Sequence, residues 1–194
     1  MSYAFDATTK RFPSPPSLIV LHWTGGIGGP DQVERTLASR GLSVHYAVSA
    51  AGDVVQLASL DRQCAHAGSV NRRSIGIEVC SPGFPGALHD REIARGIERD
   101  VYTDHIRGRA AKMVGQTAAQ TDAVTALVES ICSGLSIPRR VPLEPHGALV
   151  RRQLTPGEIV AFRGVLGHYH CHATKQDPGT APLERLRERW AHGR

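Results

Sequence analysis

The sequence is poor in aromatic residues, which fill 5% of its 194 positions, and it has no apolar run long enough to cross a bilayer. Its longest apolar stretches, such as Leu18–Leu21, have the length of a strand, so no membrane partner is expected. Met1 to Pro16 has no apolar central region and does not read as a secretory signal. The expected location is the cytoplasm as synthesised, unless a dedicated release or secretion system moves the protein. Cysteines are few: Cys64, Cys80, Cys132 and Cys171 show no paired motif spacing, and without an export signal reduced thiols are the default. Interleaving of aromatic and basic residues is also missing, so no nucleic-acid partner is expected.

What remains is an ordinary globular composition, 41% hydrophobic and 21% charged, with no internal repeat. Such a chain can bury a real core as one domain. The net charge of +5 suits anionic partners, wall polymers among them. The positive charges are nevertheless dispersed in pairs (Arg72-Arg73, Arg139-Arg140, Arg151-Arg152) and read as solvated surface.

Strand and helix patterns alternate along the chain. Residues 1–16 read as a loose lead-in ending in Pro13, Pro15 and Pro16, and residues 17–194 as the domain. Leu18–Leu21 reads as a buried strand running into His22, Trp23 and a glycine pair. Pro30 to Arg40 reads as a helix with proline in its first turn and Gly41 at its stop. Val44–Ser49 and Asp53–Leu57 read as a hairpin, and Ser74–Cys80 as a central strand. An insertion at about 82–116, rich in charge and glycine, reads as an excursion with a short helix near Asp90–Ile97. A helical stripe follows over Thr117–Leu135, then a loop-rich stretch from Pro138 to Glu158, a strand over Phe162–Leu166 and a helix over Pro182–Ala191. The pattern predicts an α/β fold with a central mixed β-sheet flanked by helices.

Two of these strands end at histidines, His22 and His168, and Asp177 follows nine positions after the second. Two imidazoles and a carboxylate from strand ends and a loop can converge on one metal. Zinc accepts such a set and keeps a fourth position for water. Spacing alone leaves the plainer reading open, since ten histidines supply many chance pairs.

Four segments together are more specific. They are Ile19–Gly25, Ser43–Tyr46 with Val54–Leu57, Ala65–Ser69 with Asn71 and Ser74–Glu78, and Gly167-His168 with Lys175–Gly179. In this order they resemble the type 2 N-acetylmuramoyl-L-alanine amidases, which share their fold with the peptidoglycan recognition proteins. The resemblance implies Zn2+ on His22, His168 and Asp177. It makes Glu78 the general base and Lys175 the stabiliser of the oxyanion. Trp23, His45, His66 and Asn71 are expected near substrate, a peptidoglycan strand or a muropeptide. Ala65 stands where the family often has tryptophan, which leaves open a zinc amidase acting on another acyl-amide. A non-catalytic peptidoglycan-binding module is the other alternative. His170, Cys171 and His172 offer substitute ligands at shorter spacing to Asp177, and His146 has no assignment.

Overall fold

The computed structural model describes residues 3–192. After a 3-10 turn at Asp6–Thr8 come β1 (Lys10–Arg11), β2 (Leu18–Trp23), α1 (Pro30–Ser39), β3 (Tyr46–Val48), β4 (Val54–Gln56) and β5 (Arg62–Gln63). A second 3-10 turn, Gly68–Arg73, leads into β6 (Ser74–Val79). Then follow α2 (Ala87–Ile93), β7 (Val101–Ile106), β8 (Arg109–Val114), α3 (Ala118–Gly134), α4 (Pro156–Ala161), β9 (Gly164–Gly167), α5 (His168–Cys171) and α6 (Ala181–His192). No described helix is long and apolar enough to cross a membrane.

The central sheet has the order β4-β3-β6-β2-β9. Only β3 and β4 pair antiparallel; the other pairings are parallel, so the sheet is mixed as the sequence predicts. A strand between two parallel neighbours is covered on both faces, and that explains why Leu18–Leu21 is an unbroken apolar run. Its residues alternate between two cores. Ile19 and Leu21 join Ile75, Ile77, Val165, the α3 residues Val124 and Val128, and Leu183 of α6. Leu18 and Val20 join Val70, Val150, Leu154 and Leu166 on the opposite face. Each such side chain, buried from water, contributes about 1.5–3 kcal/mol before conformational entropy is counted. The long helix α3 is held at its start by a capping box: Thr117 accepts from the Gln120 N–H, and the Gln120 side chain accepts from the Thr117 N–H.

Two expectations change. The lead-in is docked rather than loose. Phe5 is buried (3% exposed), its N–H donates to the Leu57 carbonyl, and the Asp6 carboxylate accepts from the Ser59 N–H and hydroxyl. β1 then pairs antiparallel with β5. A single buried phenylalanine and a two-residue strand leave no periodic pattern for the sequence to display.

The insertion is likewise ordered, with its helix at Ala87–Ile93 and a β7–β8 hairpin where no strand was expected. Arg107 and Gly108 take φ of 54° and 71°, the left-handed pair that a two-residue hairpin turn needs. Ile106, Met113 and Val114 are buried. A buried ion pair ties the insertion to the sheet. Arg99 holds Glu92 through two contacts, Nε–Oε2 at 2.7 Å and Nη2–Oε1 at 3.0 Å, and donates to the Cys80 and Gly115 carbonyls. Charges alone gave no sign of this pairing, because it joins α2 to the stretch just before β7.

Removing one member of such a pair strands the other charge in the interior. Glu92→Ala is expected to lower stability by about 3–5 kcal/mol in urea unfolding. A loss below about 1 kcal/mol would show that the pair does not anchor the insertion.

Candidate metal centre and cleft

The parallel register places the polar residues. His22 lies opposite Glu78 across the β2–β6 pairing, and Leu21 lies opposite Gly167 across β2–β9. His168 therefore emerges at the end of β9 beside His22. These are the carboxyl ends of parallel strands, where open α/β sheets form their binding crevices. Gly167 permits the close turn: a Cβ there would come within 2.8 Å of the Tyr169 ring and 2.9 Å of Pro178.

Asp177 arrives on the loop after α5. The Tyr169 N–H donates to its carbonyl, and the following residues sit on the insertion hairpin. Asp104 of β7 accepts from the Thr180 N–H at 2.6 Å and from the Thr180 hydroxyl at 2.8 Å. Gly179, at φ of 79°, passes so close to Tyr102 that a Cβ would lie 2.5 Å from its hydroxyl oxygen.

The result is a buried cluster. His22 Nδ1 and His168 Nδ1 are 3.0 Å apart, and Asp177 Oδ2 lies 2.9 Å from His168 Nδ1 and 3.3 Å from His22 Nδ1. One ligand atom from each falls within 4.8 Å of the others. Burial pushes the His22 imidazole below its ordinary pKa, against the pull of Asp177, and so favours the neutral ring that a metal requires. Burial alone would raise the Asp177 carboxyl, but hydrogen bonds to His168 and His22 outweigh it and hold the group well below the carboxylate range. Two imidazoles and a carboxylate, converging and shielded from water, fit a zinc ion with an open position.

The substitute ligands are engaged elsewhere. His170 Nδ1 accepts from the Gly167 N–H and its Nε2 donates to the Val150 carbonyl. Cys171 is buried, which pushes its thiol up to about 12, away from the thiolate. His172 is exposed and bonded to Thr174.

The cluster opens into a cleft of about 640 Å³ lined also by Trp23, His66, Glu78, Lys175, Arg40, Arg91 and Arg95. Glu78 Oε2 is buried there without a hydrogen-bond partner. Burial and the nearby Asp177 charge push its pKa well above the ordinary value, against Lys175 and Arg40. Trp23 forms a wall, its ring 5.0 Å from Phe84 and edge-on at 74°. Gly83 lies flat against the indole, where a Cβ would come within 2.6 Å.

His45 and Asn71, expected near substrate, point elsewhere. His45 is fully buried: its Nε2 donates to the Arg62 carbonyl at 2.8 Å and its Nδ1 accepts from the Gly76 N–H at 3.0 Å. It binds the sheet to the β5 segment. Asn71 Oδ1 accepts from the backbone N–H groups of His66 and Ala67, so it shapes the His66 loop. His66 does line the cleft, though its ring nitrogens face His22 and Ser74. Burial holds this imidazole well below its ordinary pKa. Nothing in the residue pattern pointed to Arg40 or the α1 residues Gln32 and Thr36 at the cleft. Its only hint was the glycine-rich turn after Trp23, which carries the chain over the site.

The three candidate ligands should be separately necessary. His22→Ala, His168→Ala and Asp177→Ala are each expected to lower bound zinc well below one ion per chain in elemental analysis of purified protein. A variant that keeps full occupancy leaves the ligand set.

A family model described as N-acetylmuramoyl-L-alanine amidase matches residues 12–180. Comparison with curated protein sequences gives no match. The fold is similar to that of several solved structures. One is the E. coli N-acetylmuramyl-L-alanine amidase AmiD, in complex with its substrate anhydro-N-acetylmuramic acid-L-Ala-D-gamma-Glu-L-Lys (TM-score 0.57, 20% identity, 93% of this chain and 60% of that one). A second is the N-acetylmuramoyl-L-alanine amidase LysC from Clostridium intestinale URNW (TM-score 0.60, 15% identity, 98% and 93%). A third is the drosophila peptidoglycan recognition protein SD (TM-score 0.52, 16% identity, 93% and 84%). The chain thus spans about 60% of the AmiD chain and nearly all of LysC. With the family model covering most of its length, the chain belongs to the N-acetylmuramoyl-L-alanine amidase family.

Proposed function

We propose that this chain hydrolyses the amide bond between N-acetylmuramic acid and L-alanine in peptidoglycan or its fragments, with zinc held by His22, His168 and Asp177. The observation that carries the reading is the meeting of those groups with the unpartnered Oε2 of Glu78 and with Lys175 in one cleft.

Zinc bound at this cluster supplies Lewis acidity toward water and the scissile carbonyl. Glu78 takes the proton of the attacking water and delivers it to the amide nitrogen as the C–N bond breaks. Its raised pKa makes it a stronger base toward the water than an ordinary carboxylate. Lys175 faces the carbonyl oxygen, where negative charge grows as the tetrahedral intermediate forms. Trp23 offers an apolar wall to the sugar. Arg91 of α2 and Arg95 just beyond its end line the cleft and have no ion-pair partner among the described residues, which suits the carboxylates of a stem peptide.

The test uses the purified protein and a muramoyl-peptide, with products read by mass. About one zinc per chain and release of free peptide that a chelator abolishes are expected. Zinc without release would assign the site to another acyl-amide, and binding without zinc would make the chain a recognition module.

A finer test separates the base from the metal. Glu78→Gln is expected to keep its zinc and to lower kcat about 10²–10⁴-fold. Near-normal turnover in that variant would remove Glu78 from proton transfer.

A further inference from the structure

His66 is the one imidazole of the cleft to which neither metal binding nor proton transfer gives a task. Its surroundings define one. His22 Nε2 lies 3.0 Å from His66 Nδ1. His66 Nε2 in turn lies 3.1 Å from the Ser74 hydroxyl and 3.4 Å from the Ser74 carbonyl oxygen. The Ser74 hydroxyl donates to the Val70 carbonyl at 2.8 Å.

The far end of this chain fixes its direction. A carbonyl only accepts, so the single hydroxyl hydrogen of Ser74 goes to Val70. Toward His66 the Ser74 oxygen is then an acceptor, as is the Ser74 carbonyl. His66 therefore carries its hydrogen on Nε2, which leaves Nδ1 bare to accept. His22 meets it with Nε2–H, and His22 Nδ1 is left with a free lone pair on the side of His168 and Asp177.

We infer that His66, oriented by Ser74, is a positioning residue that locks His22 in the tautomer able to give Nδ1 to a metal ion. The assignment rests on His22 being a ligand. Hydrogen bonds of this kind fix ring orientation in metal sites, usually with a carboxylate or carbonyl as the acceptor; here the acceptor is a second imidazole. The backbone is built around that ring. Gly76 of β6 has no side chain beneath it, where a Cβ would come within 2.8 Å of His66. Asn71 ties down the backbone N–H groups of His66 and Ala67. Thus Ser74 and Gly76 meet the His66 ring while Asn71 fixes its backbone.

The experiment compares zinc affinity by chelator competition in wild type, His66→Leu and His66→Asn. Asparagine keeps an acceptor near the Nδ1 position, whereas leucine fills similar space without one. His66→Leu is expected to weaken zinc binding about 10–100-fold, and His66→Asn to recover most of that loss. Nitrogen-15 NMR of the zinc-loaded wild type should show the His22 hydrogen on Nε2. Tight zinc in wild type with equally tight zinc in His66→Leu would overturn the assignment alone. So would equal losses in the two variants, which would mark a packing effect, or a His22 hydrogen found on Nδ1. Wild-type protein that binds no zinc would overturn the ligand reading, and this assignment with it.

Discussion

Parallel pairing of β2 with β6 on one side and β9 on the other sets where the reactive groups at the strand ends can stand. The register puts His22 across from Glu78 and brings the end of β9, with His168 just beyond, alongside the end of β2. A slip of one residue would turn His22 to the other face and replace it with Leu21 or Trp23. Such a slip is opposed from both sides of the sheet. Ile19 and Leu21 would exchange places with Leu18 and Val20, and the two cores that receive them differ in shape and in partners. Apolar packing that has no chemistry of its own thus holds the cluster in place.

Asp177 is not on a strand and depends on a different support. Its loop is seated on the insertion hairpin through Asp104, Tyr102 and Met113, and the insertion is fastened to the sheet by the buried Arg99–Glu92 pair. Arg91 of α2 and Arg95 just beyond it, in the same insertion, line the cleft. The excursion therefore supports Asp177 from behind and shapes the cleft in front.

Burial then gives similar groups different characters. The same exclusion of water that depresses His22 and His66 raises Glu78, because each shift disfavours the charged form. Asp177 goes the other way only because two imidazoles hydrogen-bond its carboxylate. One cleft so holds a carboxylate suited to a cation and a carboxyl suited to carrying a proton. Where two carboxyls are driven apart in pKa by their surroundings, different roles in one reaction follow.

Much of this was legible in the sequence. The run Leu18–Leu21 announced a strand buried on both faces, Pro30 and Gly41 marked the ends of a helix, and the stripe within Thr117–Leu135 marked the long α3. Positions at strand ends made His22 and His168 candidates along with Asp177, and it was the family resemblance of the surrounding segments that singled the three out. The sequence could not show that His45 and Asn71 spend their polar atoms on backbone groups, since the same residue types contact substrates as readily as carbonyls. Nor could it show the docking of Phe5, the β7–β8 hairpin or the Arg99–Glu92 pair. Local periodicity and spacing determine elements and propose ligands, because they act between residues a few positions apart. Which polar atoms remain free for chemistry is decided by partners far along the chain, and only the folded backbone brings those partners within hydrogen-bonding distance.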